Sequence, residues 1–167
     1  MVDPGLDRYR ETIAQSVVFE GLAPADLDRI LARCQERGVD PGQVALREGH
    51  PGDGLSVILE GRMEVLLLRQ RVKGGRRPTP VRLNTLGPGR CFGEYSLLDD
   101  SPCSATVQAL VPTKVCFLPR VDFRRLVGED DRVARVVYGN LLRFLVGRLR
   151  GKDQELDMIL LTEPSES

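Results

Sequence analysis

Between Phe92 and Val107 the sequence sets Gly93 and one acid, Glu94, ahead of a short apolar run, an arrangement suited to holding a small molecule that carries an anion and a hydroxyl. Glu94 precedes a short apolar run, Tyr95 to Leu98, that reads as one helical turn, and Pro102 stops that turn. A helix start presents unpaired N–H groups and the positive end of the helix dipole, which suits an anion. A carboxylate beside it can accept hydrogen bonds from a sugar hydroxyl. Gly93 lets backbone come close to a bound group. A phosphate and a ribose held by one loop is the chemistry this spacing supports. The plainer readings are a tight turn at Gly93, a dipole-paired carboxylate at Glu94, and a strand position without room for bulk at Ala105.

Other chemistries find no residues. His50 is the only histidine and falls in a turn, and no Cys–His or Ser–His pairing or carboxylate cluster is assembled, so an enzyme is the poorest class. Cys34, Cys91, Cys103 and Cys116 form no C-x-x-C pair, so neither a metal site nor a cofactor is expected, and the cysteines read as reduced, mostly buried thiols. The 24 basic and 24 acidic residues balance, and there is no Trp, which argues against a nucleic-acid partner. No apolar run approaches the roughly 18 residues of a membrane span, and Met1–Gly5 is not a secretory leader. The expectation is a cytoplasmic protein with no membrane partner.

The 167 residues suffice for one domain with helical flanks. Leu6 to Ala14 suits one amphipathic helix. Pro24 at a first turn, with Leu27, Ile30 and Leu31 at helical spacing, starts another, which Gly38 is expected to end. From Val39 short apolar runs alternate with Gly and Pro turns, the pattern of antiparallel β structure. Pro112 separates Gln108–Val111 from Thr113–Pro119. Arg69 to Pro80 reads as an exposed loop, a solvated hairpin tip, with five basic residues, Arg69, Arg71, Lys73, Arg76 and Arg77; the sharper alternative is a basic finger for an acidic partner. From Asp131 to Leu161 the period is helical, with Gly151 a weak point. Val133, Val137, Leu141 and Phe144 make one stripe, assigned to packing on the strands. Tyr138, Leu142, Leu145 and Leu149, continued at Leu156 and Ile159, make a second, coiled-coil-like seam. The implied division is a helical flank at 1–38, a β unit at 39–119, C-terminal helices at 120–161 and a frayed tail at 162–167.

The order Phe92-Gly93-Glu94 through Cys103-Ser104-Ala105-Thr106-Val107 resembles the phosphate-binding cassette of the cyclic-nucleotide-binding domain family, of the catabolite activator and cAMP-dependent kinase regulatory-subunit type. Phe19-Glu20-Gly21-Leu22, the Gly-rich run from Val39 to Val65, and Ala109 to Pro119 with Phe123 and Leu126 are similar to the same family, over about Phe19 to Leu149. The resemblance implies an eight-stranded antiparallel jelly-roll barrel with a short helix inside it, helices at both ends, and cAMP or cGMP as ligand. It implies that Glu94 holds the ribose 2′-hydroxyl and Ser104 and Ala105 flank the phosphate. Cys103 stands where the family's phosphate-binding Arg belongs. A thiol of ordinary pKa is neutral at pH 7 and cannot replace a guanidinium; losing such a contact costs about 1.5–3 kcal/mol or more. Weak or altered nucleotide binding follows, with Arg90 or Arg82 as substitute charges. The family's C-terminal helix often forms a dimer interface, which implies a parallel homodimer through the second seam. The function implied is a non-catalytic small-molecule sensor acting through that helix, with a separate effector protein as output. The alternative is a ligand-free interaction or dimerisation module that keeps the barrel as a scaffold.

Overall fold

The structure is a computed structural model and describes residues 4–68, 71–72, 75–76 and 79–162. Three short helices, α1 (Pro4–Asp7), α2 (Arg10–Ala14) and α3 (Pro24–Leu31), precede the strands. The strands are β1 (Gln35–Val39), β2 (Val44–Leu46), β3 (Gly54–Glu60), β4 (Met63–Leu67), β5 (Arg71–Val72), β6 (Gly75–Arg76), β7 (Val81–Leu86), β8 (Cys91–Phe92), β9 (Thr106–Ala109) and β10 (Thr113–Pro119). A single-turn helix, α4 (Tyr95–Leu98), interrupts them, and α5 (Arg120–Glu129) and α6 (Asp131–Thr162) follow.

Two four-stranded antiparallel sheets form, in the orders β1-β10-β3-β8 and β2-β9-β4-β7. This is the expected mainly-β architecture with flanking helices. Among the described residues no ladder joins the two sheets, so they are not closed into a barrel. The alternation along β3 explains the layering. Leu55, Val57 and Leu59 join the helices' Leu6, Ile30, Leu31, Phe123 and Leu126 in one core. Ile58 turns the other way and meets Met63, Phe92, Val107 and Val115 between the sheets. A strand covered on both faces reads as a near-continuous apolar run, as Leu55–Leu59 does with Ser56 the exception.

Two sequence expectations change. The helix begun at Pro24 ends at Leu31, and Gly38 lies inside β1, whose residues Gln35 to Val39 pair with Phe117 to Thr113 of β10. Pairing with a buried strand outweighs the helical preference of Gln35, Glu36 and Arg37. Leu6–Ala14 is two helices, broken at Arg8–Tyr9, where the Tyr9 hydroxyl donates to Glu60 and Arg8 reaches Glu36 at 3.4 Å. The break lets both side chains anchor on the sheet. Within Arg69–Pro80, β5 pairs with β6 as a small antiparallel ribbon, which fits the reading of this segment as a hairpin tip. The basic-finger reading rests on side chains outside the described residues.

The C-terminal stripe of Val133, Val137 and Leu141 is fully buried in the helix-side core. Asn140, also buried, donates from Nδ2 to the carbonyls of Val18 (3.0 Å) and Glu20 (2.8 Å), fixing α6 to the N-terminal segment. Asp130 separates α5 from α6 and caps α6, accepting from the N–H groups of Arg132 and Val133 at 3.0 and 3.1 Å. Arg29 of α3 pairs with Asp130 at 2.5 Å and holds its carboxyl below the usual range, while Arg132 pairs with buried Asp26 at 2.7 Å. The start of α6 is thus tied to α3. The helix then runs without a break through Gly147 and Gly151, so the weak point expected at Gly151 does not interrupt it.

Candidate functional site

The turn after β8 depends on Gly93. Its φ is +81°, and a Cβ there would lie 2.3 Å from the Gly54 carbonyl oxygen. Only glycine meets both demands. The chain then enters α4, where the Ser96 hydroxyl donates to the carbonyls of Gly93 (2.6 Å) and Gly54 (3.2 Å), clamping the turn onto β3. Past α4, Cys103 exchanges backbone hydrogen bonds with the loop after β2, its N–H to His50 O and its carbonyl from Gly49 N, both 2.8 Å. Gly52 allows this closeness, since a Cβ on it would lie 2.6 Å from Ser96 Cβ. Asp100, at the far end of the loop, pairs with Arg120 (2.9 Å) and Arg124 (3.1 Å) of α5.

These constraints bring Gly93, Glu94, Cys103, Ser104 and Ala105 to the wall of one cavity of about 780 Å³. Leu46, Val65 and Val107 of the β2-β9-β4-β7 sheet form an apolar part of its lining, and α6 lines it with Phe144, Arg148, Gly151 and Lys152. The volume falls within the range of small-molecule sites.

Glu94 is 4% exposed. Burial raises its carboxyl above the usual range, and its own N–H and Arg148 pull it partly back. Arg148 Nη1 donates to Glu94 Oε1 at 2.7 Å. The guanidinium carbon lies 5.5 Å from the centre of the Tyr95 ring and 5.6 Å from that of Phe144, one ring from each side of the cavity. Cys103 is partly buried, and desolvation followed by nearby Asp53 raises its pKa. Its thiol is therefore neutral at pH 7. Cys91 beneath is pushed up to about 12, chiefly by burial, with Glu94 adding to the shift. Cys34 and Cys116 are also buried, and all four cysteines are free.

The two substitute charges part company. Arg90 lines the cavity. Arg82 sits on β7, 2.8 Å from Glu64, and does not contribute to the lining. Arg148 was not singled out by sequence reasoning. Its signal is the stripe Val133, Val137, Leu141, Phe144, which at the next four-residue step reaches Arg148. Arg148 itself is exposed; the buried Glu94 carboxylate is the group that needs a partner, and Arg148 is that partner.

The family model for the cyclic nucleotide-binding domain matches residues 36–130. The chain belongs to the cyclic nucleotide-binding domain family. It is 36% identical over 148 residues to the cyclic AMP receptor protein of Thermus thermophilus, covering 89% of this chain and 64% of that one. It is 33% identical over 129 residues to a cyclic nucleotide-gated potassium channel of Mesorhizobium japonicum, covering 77% of this chain and 33% of the channel. The chain thus spans between a third and two thirds of these curated relatives. Among solved structures, the Thermus thermophilus catabolite activator protein superimposes with a TM-score of 0.72 at 35% identity, over 86% of this chain and 63% of that one. A cyclic nucleotide-binding domain from Methylobacillus flagellatus gives 0.77 at 26% identity, over 96% of this chain and 88% of that one. Among the described residues no helix is long and apolar enough to cross a membrane.

Proposed function

We propose that this chain is a non-catalytic sensor of cAMP or cGMP that signals through α6 and binds its ligand weakly or in an altered manner. The observation that carries the reading is the bond between Glu94 and Arg148. Glu94 is the residue suited to a ribose hydroxyl, and in this structure its carboxylate is engaged by α6. A ribose that takes Glu94 must change the tie on α6, so ligand and helix position are linked through one carboxylate. A ligand shifts an equilibrium only by its differential affinity for the two arrangements. Here the difference is one charge-assisted hydrogen bond.

The neutral Cys103 supports the weak-binding part. Residues 39–119 with β1 serve as the binding unit, and 120–161 as the transmitting one. The output is a separate effector protein, reached through a homodimer. Tyr138, Leu142, Val146 and Leu149 are exposed on α6 at steps of four, four and three residues, the spacing of a helix–helix seam. Leu145 is half-buried and lies at its edge. The side chains of Leu156 and Ile159 lie outside the described residues.

Titration calorimetry with cAMP and with cGMP tests the sensor reading. Micromolar or weaker binding is expected. No heat with either nucleotide, from the wild type or from a Cys103→Arg variant, overturns it in favour of a scaffold for protein contacts.

A further inference from the structure

The cassette wall of the cavity carries no cation. Cys103, Ser104 and Ala105 are neutral, and Glu94 is an acid. Yet among the described residues three cations line the cavity, Arg90, Arg148 and Lys152. Arg90 is exposed on the turn before β8, and Lys152 is exposed one turn beyond Arg148 on α6. The Arg148 side chain is also exposed, at 43%, and what separates it from these two is its contacts. Its guanidinium reaches across the cavity to the cassette, 2.7 Å from Glu94, beside the Tyr95 and Phe144 rings. It is the one cation of the three with a hydrogen bond to a cassette side chain, and its position needs little ordering when ligand arrives.

Resting on the cyclic-nucleotide reading, we infer that Arg148 of α6, rather than a cassette side chain, is the cation that meets the ligand's phosphate. When the ribose hydroxyl takes Glu94, Arg148 is released within the cavity that the neutral Cys103 also lines and leaves without a counter-charge. A guanidinium has five N–H donors in a fixed fork, so Arg148 can turn to the phosphate without leaving the cavity. The charge moves from a loop that is fixed to the sheet onto the helix that carries the signal. A ligand's anionic group would then act on α6 directly. A neutral nucleoside would fill the same pocket and lack that hold.

The test compares cAMP with adenosine, which offers the ribose without the phosphate, by titration calorimetry on the full chain. Arg148→Met is expected to weaken cAMP at least about tenfold, the size of one charge-assisted contact. Adenosine is expected to change much less, and Arg90→Met to cost cAMP less than Arg148→Met does. Cys103→Arg is expected to return more cAMP affinity in the Arg148→Met background than it adds to the wild type, because one phosphate then has one cation to gain. Arg148→Gln serves if Arg148→Met lowers the thermal melt. Unchanged or tighter cAMP binding in Arg148→Met overturns the inference, since Arg148 then only occupies Glu94. So does an equal loss for cAMP and adenosine. Failure of both wild type and Cys103→Arg to bind cAMP or cGMP overturns the sensor reading itself, a result distinct from either.

Discussion

Glu94 and Arg148 are 54 residues apart in the chain and 2.7 Å apart in space. One is the acid of the loop that lines the cavity, and the other is on α6, which lines it from the opposite side of the bond. The Glu94 side chain is 5% exposed and that of Arg148 43%. The pair is thus desolvated on one side only. Removing Arg148 leaves a buried carboxylate without its cation, whereas removing Glu94 leaves a cation that water can still reach. The two deletions are not equivalent, and the predictions differ accordingly.

Cys103→Arg in the otherwise unchanged protein should tighten cAMP or cGMP binding at least about tenfold, as expected for one restored charge-assisted contact. Glu94→Ala added to it should abolish the gain, because the ribose anchor is gone. Calorimetry on the single and double variants decides this. A double variant that keeps the gain would show that ribose recognition does not pass through Glu94.

The raised pKa of Glu94 gives stability a pH signature. A carboxyl whose folded-state pKa lies above its unfolded value favours folding fully below the unfolded pKa. That advantage is lost as pH rises through the folded pKa. Glu94→Gln removes the titration. The melting temperature of Glu94→Gln relative to wild type should therefore be higher at pH 7 than at pH values below the ordinary carboxylate range. Thermal melts followed by circular dichroism across that window check the sign, and a difference that does not vary with pH would contradict it.

The exposed face of α6 should hold two copies together. Leu142 is 65% exposed and Leu149 61%, so replacing both with Glu disturbs no core. The variant should run as a monomer in light scattering with an unchanged melt of the strands. Wild-type protein that is already monomeric at high concentration would remove the seam from the account.

Gly93→Ala should destabilise the chain by at least about 1–3 kcal/mol, the scale of one strained backbone position. The positive φ and the 2.3 Å approach to Gly54 O act together. Denaturant unfolding measures the loss. Gly147→Ala is the matching control on α6, since no atom lies within 4 Å of its added Cβ, and it should raise stability by about 0.5–1 kcal/mol through helix propensity.

The cassette was legible because it is contiguous. Gly93, Glu94, Pro102 and Ala105 are short-range signals of a tight turn, a helix start, a stop and a crowded strand, and each acts through its own neighbours. The β character of Val44 to Pro119 was legible for the same reason, as short apolar runs cut by Gly and Pro. So was the burial of Val133, Val137 and Leu141, which needs only helical periodicity. Elements that answer to distant partners were not legible. Residues Gln35 to Val39 have no strand pattern of their own and become β1 by pairing with β10, some eighty residues away. The break at Arg8–Tyr9 answers to Glu36 and Glu60 on the sheet. The sequence by itself determined that a loop with a carboxylate and without a cation would line a site. The tertiary structure alone decided which cation faces that loop. Arg82 and Arg90 are nearer in sequence, but β7 pairs the first with Glu64 and the turn before β8 leaves the second exposed. Arg148 reaches Glu94 because the buried stripe of α6 lays the helix along the cavity, and the charge that follows the stripe meets a carboxylate that burial would otherwise leave unpaired.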